Sequence, residues 1–182
     1  MNENTNKVLL SEVKPGETIN THFGTVLVLE HTEEGTKVIT KGLFEQDKEF
    51  GPNTDYKDSY VQQLCEGKIY DTFAKEFGAD NIVEHEVDLV SVDMQQDYGK
   101  VNCRVRPLTF DEARKYNDML VNEELEDWYW LCTPWSVPRR GWKYSVTVVS
   151  PSGGICNISY NNIGGVRPFC ILKSNIFVSK GE

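Results

Sequence analysis

At 182 residues, with 39% hydrophobic and 26% charged side chains, the chain is long enough for one sizeable core and too apolar for global disorder. No run of about 18 apolar residues occurs, which excludes a membrane-crossing helix, and the polar opening MNENTNKVLLSEVKPGE lacks the apolar centre of a secretory signal. The net charge of −9 is polarised: residues 1–100 hold nine Lys and no Arg against 20 acids, whereas Trp128 to Lys180 holds six bases and no acid. Such a division either steers charged partners or keeps an acidic face in water. Five scattered cysteines (Cys65, Cys103, Cys132, Cys156, Cys170) without a C-x-x-C pair predict reduced cytosolic thiols, mostly in the core.

Thr25–Glu30 and Thr36–Thr40 are β-branched runs separated by His31-Thr32-Glu33-Glu34-Gly35, which predicts an antiparallel hairpin. Residues 45–57 carry Gly, Pro, Asn and Asp and read as a surface loop. Asp58 or Ser59 can cap a short helix over Tyr60–Cys65. A second, over Ile69–Phe77, places Ile69, Phe73 and Phe77 on one face and stops at Gly78. Ile82–Met94 alternates as a strand, with Glu84, Glu86 and Asp88 on one side and Val83, His85, Val87 and Leu89 on the other. Thr109 and Glu112 form a capping box that opens a helix over Phe110–Leu120, continuing raggedly toward Glu126.

From Trp128 the texture changes to short strands: Trp128–Cys132, Tyr144–Ser150, Gly154–Ser159 and Val166–Leu172. Pro134, Pro138, Pro151-Ser152-Gly153-Gly154 and Gly164-Gly165 supply the turns. No repeat or linker divides the chain. The expectation is one α+β domain over 1–182, made of a polar segment 1–22, an acidic α+β part 23–127 and a basic, aromatic, β-rich tail 128–182.

Catalytic patterns are lacking. The three histidines (His22, His31, His85) accompany no nucleophile signature. On a strand His85 points away from Glu84, Glu86 and Asp88, so no convergent metal set is readable, and the glycine pairs lack the context of a phosphate loop. No catalytic residue, metal or cofactor is therefore expected. The tail residues Trp135, Arg139, Arg140, Trp142, Tyr144 and Tyr160 interleave cations with stacking faces, the ingredients of nucleic-acid contact, although a sequence pI near 4.9 favours protein contact instead.

Three segments carry a resemblance. Trp128-Tyr129-Trp130-Leu131-Cys132-Thr133-Pro134, Val148-Val149-Ser150-Pro151-Ser152-Gly153-Gly154 and Gly165-Val166-Arg167-Pro168-Phe169-Cys170-Ile171-Leu172 resemble a domain family common in gut Firmicutes and their phages. The tail of that family reads W-W-L-R-S-P-G … G-V-R-P. Phe23-Gly24, the Ser59–Leu64 helix and Leu108-Thr109-Phe110-Asp111-Glu112-Ala113 fit upstream. The tail is also similar to the end of C-type-lectin-like folds. Cys132 stands where the family often has Arg, and no catalytic cysteine pair is carried over. As structure, the motif sends Trp128 and Trp130 into a core, while Arg167 pairs with backbone carbonyls or an acid and Pro168 stiffens the chain.

As a small acidic protein with this tail, the chain also resembles the phage anti-CRISPR inhibitors of type II-A Cas9. That resemblance implies a stoichiometric inhibitor, monomeric or homodimeric, that binds Cas9 with its guide RNA and blocks DNA engagement or activation. Carboxylates would occupy ground that Cas9 reserves for phosphates. The candidate partner-binding residues are Glu84, Glu86, Asp88, Asp93 and Asp97. The alternative is a C-type-lectin-like ligand-binding module, using Trp135, Arg139, Arg140, Trp142, Tyr144 and Tyr160.

Overall fold

The computed structural model describes residues 6–182. Its first strands are β1 (Lys7–Leu9), β2 (Thr18–Thr21), β3 (Gly24–Thr32), β4 (Gly35–Thr40) and β5 (Glu45–Glu49). A helical segment follows: α1 (Tyr60–Leu64), a π-helical turn (Cys65–Ile69) and α2 (Tyr70–Phe77). Next come β6 (His85–Asp88), β7 (Lys100–Cys103), β8 (Val105–Arg106), α3 (Phe110–Lys115) and α4 (Asn117–Leu120). The remaining strands are β9 (Tyr129–Pro134), β10 (Ser145–Val149), β11 (Ile155–Ser159), β12 (Ile163–Val166), β13 (Phe169–Leu172) and β14 (Phe177–Lys180). The class is α+β, with helices set beside largely antiparallel sheets.

Two sheets organise the molecule. One has seven strands in the order β1-β14-β2-β3-β4-β13-β8, and the other has five in the order β11-β10-β9-β12-β5. A separate ribbon pairs β6 with β7. The β-branched runs of β3 and β4 form the expected antiparallel hairpin, with Val28 opposite Val38 and a bulge before Glu30. Both faces of these central strands are covered. Val26, Val28 and Val38 enter the larger core with Phe50, Phe73 and Trp130, whereas Leu27, Leu29 and Ile39 enter a second core with Leu108, Tyr129 and Phe169. That is why β3 and β9 read as unbroken apolar runs instead of alternating ones.

The helices follow local chemistry. Ser59 accepts the Gln62 amide at 2.9 Å as N-cap, Ile69, Phe73 and Phe77 are buried, and Gly78 ends the helix at φ 87°. The two predicted helices are one continuous segment, because a π-helical turn bridges Cys65–Ile69. Thr109 and Glu112 close the predicted capping box. The helix they open breaks at Tyr116 (φ −100°, ψ 11°), resumes over Asn117–Leu120 and does not continue toward Glu126.

Several expectations are corrected. Residues 45–49 are a strand and not a loop, paired antiparallel with β12. The ladder makes this strand, while its charged side chains stay in water at the sheet edge. Ile82–Met94 yields a strand only over His85–Asp88 plus a lone bridge from Ile82 to Leu172. The single strand predicted over Val166–Leu172 is two strands in different sheets, parted at Arg167-Pro168. Gly164-Gly165 is not a turn. It lies within β12, where a Cβ on Gly164 would stand 3.1 Å from the Trp130 indole nitrogen and one on Gly165 2.6 Å from Leu43. Trp130 is fully buried, whereas Trp128 is 38% exposed because it lies just before the strand.

Trp130 anchors the five-stranded sheet, and Arg167 joins the two sheets. The Trp130 indole donates to the Lys48 carbonyl at 2.8 Å, and its ring lies 5.4 Å from that of Phe50. Arg167 donates to the carbonyls of Thr40 (2.8 Å) and Leu120 (2.9 Å) and to the Tyr129 hydroxyl (3.2 Å). Trp130→Ala is expected to cost about 3–5 kcal/mol of stability. Arg167→Ala, which strands buried acceptors, should cost about 1–3 kcal/mol. Urea titration checks both, and a parental midpoint for either variant would show that the residue does not have that role.

Candidate functional site

The acidic row forms as the period-two pattern requires. Glu84, Glu86 and Asp88 are exposed, while Val87 and Leu89 are buried. In the ribbon, Glu86 faces Asn102 and Asp88 faces Lys100. Glu86 takes Lys100 as an ion-pair partner at 3.0 Å and raises the lysine's pKa. Asp88 accepts the Val90 amide at 3.0 Å, and Glu84 has no partner among the described residues. These side chains line an open cleft of about 610 Å³, which Glu34 and Lys37 from the β3–β4 hairpin also line.

The cleft floor is a buried ion pair. Arg106 grips Glu112 with both terminal nitrogens, at 2.7 and 3.0 Å, and lies 4.4 Å from the Phe169 ring centroid. Glu112 also accepts the Thr109 amide at 2.9 Å, so one carboxylate caps α3 and neutralises Arg106. Burial pushes Glu112 upward, but Arg106 and the Thr109 hydrogen bonds outweigh it and hold the carboxyl below its usual range. Burial likewise opposes the charge on Arg106, and Glu112 overcomes it.

His85 completes the floor. Its Nε2 accepts the Arg106 Nε–H at 2.9 Å, so the proton sits on Nδ1, which donates to the Val83 carbonyl at 3.1 Å. Burial first, and then the Arg106 charge, lower the imidazole pKa. Both nitrogens are occupied and the ring is neutral, so His85 is a structural joint and not a base. The other histidines are also engaged: His22 pairs with Glu76, and His31 bridges Thr36 and the Val13 carbonyl. Burial pushes the Cys132 thiol up to about 12 and that of Cys103 to about 11, far from a thiolate nucleophile at neutral pH. Cys65 and Cys170 are buried too, and Cys156 is exposed.

Asp93 and Asp97 lie in the loop after the first ribbon strand and face the tail. Asp93 accepts from the Ser91 and Ser136 hydroxyls, which lower its pKa, and stands 3.6 Å from Arg140. Asp97 receives the Arg139 fork at 3.1 and 3.2 Å. The structure thus joins Asp93 and Asp97 of one predicted set to Arg140 and Arg139 of the other as ion pairs. Of the aromatic set, Trp142 and Tyr144 are 49% and 59% exposed, Trp135 and Tyr160 are half-buried, and the Tyr160 ring lies 5.9 Å from that of Tyr144. None of these tail residues lines the acidic cleft or its neighbour, a cleft of about 460 Å³ beside Phe110 and Met94.

Sequence reasoning missed Arg106, Glu34 and Lys37. The available signal was Glu112, which as a cap had no stated partner for its second oxygen. Among the described residues no three His, Cys, Asp or Glu side chains are grouped to hold a metal ion, and no helix is long and apolar enough to cross a membrane. No protein-family model, curated protein or solved structure matches the chain.

The His85 geometry fixes a pH dependence. The folded-state pKa lies below the ordinary value of about 6.5, so the unfolded chain takes up the proton first. Stability is intact above about pH 6.5 and falls as the pH drops toward the folded value, by at most about 1.4 kcal/mol per pH unit. His85→Gln, which keeps a donor and an acceptor but does not titrate, should flatten that slope above the carboxylate range. An unchanged slope in the variant would assign the effect to another group.

Proposed function

We propose that the chain is a non-enzymatic binding protein that grips a basic macromolecular surface through its acidic cleft. The observation that carries this is a charge imbalance at the rim. Glu34, Glu84 and Asp88 have no ion-pair partner among the described residues, whereas the cations nearby are occupied. Arg106 belongs to Glu112, Lys100 to Glu86, and Lys37 to Glu30 at 3.4 Å. A lysine- or arginine-rich partner therefore meets uncompensated carboxylates above a floor that is already neutral.

The partner we propose is Cas9 loaded with guide RNA, the class implied by the resemblance to the phage anti-CRISPR inhibitors. Its positive channels for nucleic acid are the kind of surface this rim complements, and such an inhibitor acts in the cytoplasm of the host bacterial cell. A second reading, a ligand-binding module of C-type-lectin-like character, is favoured by the exposure of Trp142 and Tyr144. Direct nucleic-acid binding is the weaker use of this tail, because Arg139 and Arg140 are drawn onto Asp97 and Asp93.

Capture of guide-loaded Cas9, with apo Cas9 as control, tests the proposal. The double reversal Glu84→Lys/Asp88→Lys should weaken binding at least tenfold and leave the melting temperature nearly unchanged, since both side chains are exposed. Parental binding should weaken as salt rises, because exposed charges are screened within about 10 Å at 0.1 M. Full binding by the reversed variant would clear the rim of this role. Failure of the parent to bind guide-loaded Cas9 would remove the partner, and loss of binding in Trp142→Ala/Tyr144→Ala alone would favour the second reading.

A further inference from the structure

Each large sheet ends in two edge strands, and they are unequally protected. In the five-stranded sheet, β5 (EQDKE) bears four charges and a kink at Asp47 (φ 53°), which discourage pairing with another chain. In the seven-stranded sheet, β8 is two residues long with its arginine locked onto Glu112, and β1 is three residues long and begins with Lys7. The fourth edge, β11, has none of these protections. It runs five residues, Ile155-Cys156-Asn157-Ile158-Ser159, and among the described residues pairs only with β10. The strand contains neither proline nor charge, and no Lys, Arg, Asp or Glu occurs between Lys143 and Arg167.

The flanking hydrogen bonds fix which backbone groups are free. Ser150 N–H donates to the Gly154 carbonyl at 2.8 Å at one end, and Tyr160 N–H to the Tyr144 carbonyl at 2.8 Å at the other. With Val148 opposite Cys156 and Val146 opposite Ile158, antiparallel alternation turns the amides and carbonyls of Cys156 and Ile158 inward, toward β10. Those of Ile155, Asn157 and Ser159 point outward. Of these, the Ser159 carbonyl accepts the Asn162 amide at 2.9 Å and the Asn157 carbonyl accepts weakly from the Cys156 thiol at 3.7 Å, and the outward amides have no backbone partner among the described residues.

We propose that β11 is a self-association edge, through which a second copy of this chain adds antiparallel across a two-fold axis at Asn157. Such an axis sets Asn157 against Asn157 of the second copy and Ile155 against Ser159, so outward groups meet outward groups along the strand. Charge selects the occupant. Two chains that each carry −9 repel over most of their surfaces, and an uncharged strand is where they can approach without opposing like charges. A strongly acidic or basic partner gains nothing from the same edge. Five paired residues bury little area compared with a stable interface, so the dimer is weak and concentration-dependent.

Sedimentation of the full chain over a concentration series tests this. The expected result is a reversible shift toward twice the 20.8 kDa of one chain. Asn157→Pro removes an outward amide and leaves the inward bonds to β10, and Asn157→Lys sets like charges together on the axis. Each should abolish the shift without changing the far-ultraviolet spectrum. Cys156 is the exposed thiol, so a short bis-maleimide should cross-link parental dimers, and Cys156→Ser should yield none. A parent that stays monomeric at every concentration, or a dimer that survives both Asn157 variants, overturns the proposal. Cas9 capture reads the acidic cleft and is independent of either outcome.

Discussion

The fold depends on a buried cation at the step between its two large sheets. The chain leaves the five-stranded sheet at Val166, crosses through Arg167 and Pro168, and enters the seven-stranded sheet at Phe169. Arg167 is fully buried, with no carboxylate in ion-pair range among the described residues. Its charge is met by two carbonyls, one phenol and the Tyr129 ring, 5.1 Å away, while Nη2 has no hydrogen-bond partner among the described residues. Burying an arginine this way is costly, and burial lowers its pKa. The acceptors come from the end of β4, the end of α4 and the start of β9, so the guanidinium meets all three only when these elements are assembled. The interaction therefore specifies an arrangement more than it adds stability.

A second buried arginine solves the same problem differently. Arg106 has a full carboxylate partner in Glu112, and that partner is itself fixed by the Thr109 cap. Because His85 accepts from Arg106, the position of the acidic ribbon is tied to the start of α3 and to the Phe169 ring, 6.1 Å from the imidazole. Phe169 adjoins the Arg167-Pro168 step. The ribbon that carries Glu84, Glu86 and Asp88 thus rests on the crossing that joins the sheets, although those three side chains touch little themselves.

The features legible in the sequence were those set by neighbours along the chain. The hairpin of Thr25–Glu30 with Thr36–Thr40 follows from β-branching and a turn, the α3 cap from Thr109 and Glu112, and the alternation of Glu84 to Leu89 from the pleat. What the sequence hid was set by distant partners. Residues 45–49 are polar enough for a loop and become a strand only because Ile163–Val166 lies alongside. Gly164 and Gly165 suggest a turn until Trp130 and Leu43 are seen to occupy the space a side chain would need. Arg106 has one local signal, Glu112 six residues on, while His85 and Phe169 reach it from other parts of the chain. At the site, the acidic row was readable, whereas the place of Glu34 in the same cleft and the ties of Asp93 and Asp97 to Arg140 and Arg139 required the fold.

Folding also changes what the charge asymmetry means. In sequence, an acidic first half stands apart from a more basic second half; in space some of these charges pair across the halves. Arg139 goes to Asp97, Arg140 to Asp93, Lys180 to Glu17, Lys115 to Glu30 and Arg104 to Glu66. Exposed pairs of this kind contribute little stability, but each one removes a charge from the set a partner can meet. Net charge is therefore a poor guide to where recognition lies. The informative groups are those left over after internal pairing, and on the cleft rim that remainder is negative: Glu34, Glu84 and Asp88, brought to one cleft because a hairpin and a ribbon from separate parts of the chain both line it.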